Sequence, residues 1–257
     1  MAKILVVNPF GGTEFYGRAN LERIKRPDTQ FDMVNIADVY PLTNNQWLYF
    51  KYACTDGTVD RIVQAEKEGY DAVCISCNLD IGLYEARQLV NIPVTATLES
   101  AALTAHMMGW RYALLSVDDQ NGKIQEMMLE NYGLASHYVG HRAIGIDAND
   151  LYPDKTPAEK VRESALAAGR FCVEQYGAEV LIAGCTLVGS VLTHTRPDPV
   201  EVLGVPVLDG MITGFKMAEM MADIRAGGFP IVSRKGFFER PPFEDYAKLR
   251  TFLKKPL

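Results

Sequence analysis

The sequence has no long apolar run. Nowhere does it approach the roughly 18 consecutive apolar residues that a membrane-spanning helix needs, so no membrane partner is expected. Positive charge is also in short supply. Lys and Arg number 26 against 32 Asp and Glu, a net charge of −6, and no basic cluster stands out. That balance argues against a nucleic-acid partner. Only four histidines occur, His106, His137, His141 and His194, and none lies near a matching acid at triad or metal spacing. There is no Gly-x-Ser-x-Gly elbow for a serine nucleophile. No Gly-x-x-x-x-Gly-Lys-Ser/Thr loop and no Gly-x-Gly-x-x-Gly follows the first strand, so nucleotide-binding signatures are missing. The five cysteines are an odd number, and Met1 to Asn8 leads directly into a strand with no signal peptide in view. Reduced thiols and a cytoplasmic location are therefore expected.

What is present is ordinary bulk with one unusual repeat. The 257 residues, 48% hydrophobic and 23% charged, suit a soluble globular chain with one large or two small cores. The repeat sets Gly69-Tyr70-Asp71-Ala72-Val73-Cys74-Ile75-Ser76-Cys77-Asn78 against Gly177-Ala178-Glu179-Val180-Leu181-Ile182-Ala183-Gly184-Cys185-Thr186. Each has a glycine and an acid, then an apolar run, a small residue, a cysteine and a polar residue. Short apolar runs so bounded suit buried parallel strands, with each cysteine where strand gives way to loop. The echo continues in Asn91-Ile92-Pro93-Val94 and Gly204-Val205-Pro206-Val207. Such duplication predicts a site between two related halves, with one thiol from each.

Lys3 to Val7 reads as the first strand, and Asn8-Pro9-Phe10-Gly11-Gly12-Thr13 as the turn at its carboxyl end, where open α/β sheets bind ligands. Backbone amides of that turn suit an anion or a carbonyl oxygen. A plain glycine-rich connection is the competing reading. Further strands are predicted over Phe31 to Ile36, Pro93 to Thr97, Arg111 to Val117 and Pro206 to Leu208. Helices are predicted over Thr58 to Gly69, Gly82 to Val90, Glu99 to Met108, Lys123 to Asn131, Pro157 to Tyr176, Thr186 to Thr193 and Met211 to Arg225. Thr156 reads as the cap of the longest, with Pro157 at its first position. The aromatic segment Trp47 to Tyr52 reads as core or interface packing, or as an apolar wall for a substrate. The turn after Ser116, beginning at Asp118, either borders the site as Asn8 does or is merely exposed. Beyond Gly227 periodicity fades, and the tail is expected to cross the surface or a subunit contact in a homo-oligomer.

Strands alternating with long helices imply parallel sheets covered on both faces. The expected fold is two pseudo-symmetric, doubly wound α/β domains of Rossmann-like form facing a cleft. The first comprises 1–97 with 209–257, and the second 98–208.

A lone buried cysteine is more often a small hydrophobe than a nucleophile. Cys54 and Cys172 fall inside predicted helices and carry no pattern. Cys74 and Cys77 form a Cys-x-x-Cys, but residues three apart on a strand point to opposite faces. No second such pair completes a metal site, so no metal is expected. Cys77 and Cys185 differ, because each precedes a polar residue and a predicted helix start. Helix amides there favour a thiolate, and a modest lowering of a thiol pKa from about 8.5 would poise it near neutrality. His194 sits near Cys185 in sequence and reads as packing at the end of a short helix.

These residues resemble the aspartate/glutamate/hydantoin racemase superfamily. The resemblance rests on Val6-Val7-Asn8-Pro9, Cys77-Asn78-Leu79-Asp80-Ile81-Gly82-Leu83, Pro93-Val94 before Glu99-Ser100-Ala101, Gly184-Cys185-Thr186, and Pro206-Val207-Leu208-Asp209. The Asn-Pro turn, the Cys-x-x-Asp-x-Gly-Leu run and the helix start at Glu99 resemble the hydantoin racemase branch most. Two departures bear on the substrate. Leu187 stands where amino-acid racemases carry an acid or histidine, and Phe10-Gly11-Gly12 stands where relatives carry Asn and Thr.

The resemblance implies an isomerase that needs no cofactor, acting on a small neutral molecule such as a 5-substituted hydantoin. Cys77 and Cys185 would be the two acid/base groups, and Asn8, Phe10, Asn78, Ser116 and Thr186 would bind substrate. An enolate would be held by backbone amides with Asn8, Asn78 and Thr186. An amino-acid racemase, or an isomerase or decarboxylase on the same scaffold, remains an alternative, as does a binding protein with structural cysteines.

Overall fold

The computed structural model describes residues 1–10, 14–36, 47–196 and 198–255; Gly11, Gly12 and Thr13 of the first turn lie outside them. Apolar strands and amphipathic helices alternate as expected. β1 (Lys3–Asn8), β2 (Gln30–Asn35), β3 (Ala72–Ile75) and β4 (Val94–Ala96) form one parallel sheet in the order β2-β1-β3-β4. β5 (Tyr112–Ser116), β6 (Tyr138–Ala143), β7 (Val180–Ala183) and β8 (Val207–Leu208) form a second in the order β6-β5-β7-β8. The two orders are the same, four strands on. The repeat seen in the sequence is thus a repeat of place: β3 and β7 are inner strands, and both are wholly buried. A cysteine at the end of either therefore emerges at the carboxyl edge of its sheet.

The connecting helices are α1 (Glu14–Ile24), α2 (Leu48–Lys67), α3 (Leu83–Leu89), α4 (Thr97–Met108), α5 (Asp119–Asn131), α6 (Ala158–Tyr176), α7 (Thr186–His194), α8 (Pro199–Leu203), α9 (Gly210–Ala226) and α10 (Phe243–Phe252). α4 and α9 follow equivalent strands and pack against each other. α4 contributes Leu98, Ala101, Ala102 and Ala105 to a core that also holds Cys77, Leu79, Tyr112, Leu114 and Ile182. Both halves contribute to this core, which seats the Cys77 turn, while Cys185 packs against the core of the second half. α9 returns from the second sheet and lays Met211, Phe215, Ala218 and Ala222 against Ile4, Val6 and Cys74 of the first. We infer from this packing the division already drawn, 1–97 with 209–257 and 98–208.

Several expectations change. α2 begins at Leu48, ten residues before its predicted start. Its buried stripe, Cys54, Thr58, Ile62 and Ala65, has helical spacing, while Trp47, Tyr49 and Tyr52 lie on the outside. Those aromatics are not core, and they do not line the cavity between the two cysteines. β6 is absent from the sequence reading because it is half-buried with Gly140 inside it, so it shows neither a clean alternation nor an apolar run. Pro157 is the extended residue before α6, so the helix opens one residue later than predicted and Thr156 is not its cap. The tail does cross the surface, but it carries α10, whose one buried residue is Arg250, paired with Asp60 of α2. A helix anchored by charge has no apolar stripe to read. Lys255 adds a 2.6 Å contact to the same Asp60, and Arg234 donates to the carbonyls of Arg87 and Gln88 at 2.9 and 3.0 Å.

Phe215 is fully buried, its ring edge-on to Phe31 with centroids 5.3 Å apart. Truncation to alanine leaves a cavity under the first sheet, so Phe215→Ala should lower unfolding free energy by about 3–5 kcal/mol in urea titrations. A loss under about 1 kcal/mol would contradict the seating of α9 described here.

Candidate active site

The turns after β3 and β7 meet at the carboxyl edges of the two sheets. Between them lies a cavity of about 60 Å³ whose wall includes Cys77 and Cys185 together. Cys77 is buried and Cys185 partly so, and all five cysteines are unpaired. Cys74 takes the other route that strand geometry predicts. It packs with Met211 and Phe215, away from Cys77. His194 stacks on Tyr16 with centroids 4.5 Å apart, at the end of α7.

Of the expected binding residues, Phe10, Asn78 and Thr186 line this cavity with the two cysteines; Asn8 and Ser116 do not. Both of those end inner strands and are almost wholly buried. Asn8 turns sideways and donates through Nδ2 to Asn35 Oδ1 at 3.1 Å. Asp118 is not on the wall either; it caps α5, accepting the amide of Asn121 at 2.7 Å. Asn121 takes the place on the wall instead.

Hydrogen bonds join the two turns directly. Asn78 Nδ2 donates to the Ala183 carbonyl at 3.0 Å, crossing from the first half to the second. Gln125 of α5 donates through Nε2 to the carbonyl of Gly184 at 2.5 Å and, more weakly, to that of Asn78 at 3.4 Å. One amide group thus touches the residue after Cys77 and the residue before Cys185. Asn78 Oδ1, Gln125 Oε1 and Ser76 Oγ are buried on this wall without a hydrogen-bond partner among the described residues. Buried acceptors left unpaired are costly unless a ligand meets them.

Sequence reasoning missed Gln125, Asn121, and the pair Asn149 and Tyr152 that closes the far wall. Asn121 falls in the predicted polar turn and Gln125 in the helix predicted after it. Only α5 as observed, starting at Asp119, puts them four apart on one buried face with Ile124 and Met128. Asn149 and Tyr152 lie beyond β6, the strand that was not legible.

Electrostatics modify the expectation for the thiols. Cys185 is the cap position of α7, and the amides of Val188 and Leu187 favour its thiolate, though no formed capping bond exists. The amide of Leu79 does the same for Cys77. Burial outweighs these amides in both cases and pushes each thiol up rather than down. The direction is thus opposite to the modest lowering expected, because burial takes from each sulfur the water that would solvate its thiolate.

Asp80 holds the first turn. Its backbone has φ 42°, unusual without glycine. Its carboxylate accepts the amides of Leu98 and Glu99 at 2.8 and 2.9 Å and the Tyr132 hydroxyl at 3.0 Å. The Cys77 turn is thereby fastened to the start of α4. In the second half Asp209 caps the equivalent helix, α9, and accepts the Thr193 hydroxyl of α7 at 3.1 Å. Burial raises both carboxyls to about 6.

The chain belongs to the Asp/Glu/hydantoin racemase family, whose model matches residues 4–218. It is an isomerase of the racemase class and sits with the hydantoin racemase branch. It is 28% identical to the hydantoin racemase of Pseudomonas sp. (strain NS671) over 227 residues, 86% of each chain. Its fold matches that of the allantoin racemase from Klebsiella pneumoniae with TM-score 0.81 at 22% identity, covering 94% of both chains. Glutamate racemase from Francisella tularensis shares the fold more loosely, with TM-score 0.61 at 13% identity over 100% of this chain and 95% of that one.

Two predictions follow from the geometry of the turns. A Cβ on Gly184 would lie 2.8 Å from the Leu115 carbonyl and 2.9 Å from Gln125 Oε1. Gly184→Ala should therefore displace the Cys185 turn, lowering racemase activity at least about tenfold while costing about 1–3 kcal/mol of stability. Unchanged kinetics would refute that packing. The second concerns Asp80, whose folded pKa of about 6 lies above its ordinary value of 3.8. A raised carboxyl favours folding below the lower value, and that contribution is lost as pH rises through the upper one. Between pH about 4 and 7 wild type should lose about 2–3 kcal/mol relative to Asp80→Asn. Urea titrations at both pH values read this; a constant gap between the two proteins would contradict it.

Proposed function

We propose that this racemase acts without a cofactor, using Cys77 and Cys185 as its two acid/base groups on a 5-substituted hydantoin or a similar cyclic amide. One observation carries the reading. Two pseudo-equivalent thiols share a cavity on whose wall, among the described residues, no Asp, Glu, Lys, Arg or His appears. An amino-acid zwitterion would leave its ammonium and carboxylate unpaired there. A neutral ring with amide N–H groups meets the unpaired Asn78 Oδ1, Gln125 Oε1 and Ser76 Oγ instead. The names of the hydantoin and allantoin racemases above support the same substrate class.

The chemistry runs through the ring. One thiolate removes the proton from the stereogenic carbon, and the neighbouring carbonyl takes the charge as an enolate. The other thiol then delivers a proton to the opposite face. The expected roles of two asparagines change here. Asn8 donates to Asn35, and Asn78 commits one of its two amide N–H bonds to Ala183. The enolate oxygen falls to the Thr186 hydroxyl, the amides opening α7 and the second Asn78 N–H, while Asn78 Oδ1 offers an acceptor. Because burial holds both thiols protonated at neutrality, activity should rise as pH climbs from about 6 to 9. We infer a cytoplasmic homo-oligomer as well, supported by the unpaired cysteines and by the exposed aromatics Phe237, Phe243 and Phe252 of the tail.

The test removes one thiol at a time. Cys77→Ser and Cys185→Ser should each lower racemisation of an enantiopure 5-substituted hydantoin by about 10²–10⁴-fold, read as loss of optical rotation. Proton abstraction needs only the surviving thiolate. In deuterated water each variant should therefore exchange the ring C–H of one enantiomer, and the two variants should choose opposite ones. Full racemisation by either folded variant rules out the two-thiol reading. Equal loss of stability without a handed split points to structural cysteines.

A further inference from the structure

α4 is unusual for a helix at the surface. Its sequence holds a single acid, Glu99, and no lysine or arginine. The Arg87 guanidinium takes that carboxylate in a two-pronged ion pair at 2.8 and 2.5 Å. Leu98, Ala101, Ala102 and Ala105 face the core, but the other side is apolar too. Leu103, Met107 and Met108 are exposed, Met107 to 87%. A helix that is apolar all round is normally covered all round.

Beside it runs α9. The two helices start together, since a Cβ on Gly210 would lie 3.0 Å from the Thr97 carbonyl. Farther along, Ser100 Oγ meets Met217 Sδ at 3.5 Å. Leu103 and Met107 stand one turn apart on α4, and Met217, Met220, Met221 and Ile224 recur at helical spacing on α9. Leu103 shares a groove of about 380 Å³ with Met217, Met221, Ile231 and Val232, which the Arg87–Glu99 pair also lines. α9 spends its charges elsewhere: Lys216 pairs with Glu219, Asp223 with Arg26 and Arg225 with Asp71. Trp110 and Phe229, just past the ends of the two helices, are exposed as well. At roughly 200 Å² for a large side chain, about half of it bare, the six stripe residues and these two aromatics offer on the order of 800 Å². The largest apolar patch on a monomer is about 300–600 Å², whereas each partner in a stable complex buries roughly 800 Å².

We propose that a second copy of this chain covers this face, the α4 and α9 stripes of each copy packing on those of the other about a twofold axis. The proposal rests on the homo-oligomer inferred above and adds where its contact lies. α4 and α9 are equivalent helices of the two halves, so the face nearly repeats under rotation, and a closed twofold contact needs a self-complementary patch. The stripes carry no charged residue to select a partner of opposite sign or to meet an anionic lipid surface. The tail is the poorer candidate, since α10 interleaves its aromatics with Glu244, Asp245, Lys248 and Arg250. The groove takes a side chain from the partner, and symmetry makes the exchange reciprocal. Asp80 and Asp209 fasten the starts of these same two helices, so the contact braces the cysteine turns from behind.

Sedimentation velocity on the full chain reads the contact without any substrate. Wild type should sediment as a dimer or a multiple of dimers. Met107→Glu and Met220→Glu each place two carboxylates, one per copy, in an apolar contact, and should raise the dimer dissociation constant at least about 100-fold. Circular dichroism checks that each variant is folded. Met107→Ala is the second variant should a glutamate chain fail to fold, with a rise of about tenfold expected. Phe243→Ser in the tail should leave the constant unchanged. A wild type that stays monomeric over about a hundredfold range of concentration removes the homo-oligomer itself. Glutamate variants that associate as wild type does leave the homo-oligomer but put its contact elsewhere. Either result overturns the proposal, as does a monomer whose apolar face binds phosphatidylcholine vesicles.

Discussion

Everything at this site depends on keeping the ends of two strands from different sheets in fixed register. Neither sheet can do so alone, since β3 and β7 share no ladder. The work falls to two primary amides. Asn78 reaches the last residue of β7, and Gln125 touches both turns at once. Each donates its N–H and leaves its oxygen buried beside the cavity without a hydrogen-bond partner among the described residues. The groups that hold the two turns together thus also present acceptors to a ligand. Replacing either by an apolar residue would loosen the turns and strip the cavity of its polarity together.

Burial sets a second constraint. On the proposed mechanism, excluding water would strengthen every interaction with an enolate, yet the same exclusion favours the protonated form of both thiols. The fold answers with amides at the start of α7 and with the turn that Asp80 fastens to α4. Fixed dipoles of this kind cost nothing to reorganise when charge appears, which suits a reaction whose charge is transient.

The sequence carried every described strand but β6, because the others are continuous apolar runs or clean alternations and the best marked of them, β3 and β7, are supplied as a duplicate pair. It carried Cys77, Asn78, Cys185 and Thr186 for the same reason: they follow the two best-marked strands. Asn8 and Ser116 looked equivalent to them, since they too end strands, but a strand end fixes a residue's place and not its side chain's direction. Asn8 donates to Asn35 on the neighbouring strand and does not line the cavity. Gln125 was invisible as a site residue because its partners are carbonyls more than forty positions away in the chain. The start of α2 was lost for another reason. Its first two turns bury almost nothing and keep their aromatics outside, so no stripe marks them.

The symmetry of the sheets is not carried through to the thiols, and thermodynamics limits where that difference can show. The two enantiomers of one substrate have equal free energy in solution, so the interconversion constant is one. The ratio kcat/KM must then be the same in both directions, however differently Cys77 and Cys185 are surrounded. Asymmetry can enter only through kcat and KM separately, which report how strongly each bound enantiomer and each protonation state of the pair is held. A thiol at a helix start and a thiol at an open turn need not share a resting state. On the proposed two-thiol reading, the free enzyme could hold its thiolate on one side and still racemise both hands at one second-order rate. The unequal surroundings of the two cysteines on one cavity wall would then decide which enantiomer saturates first.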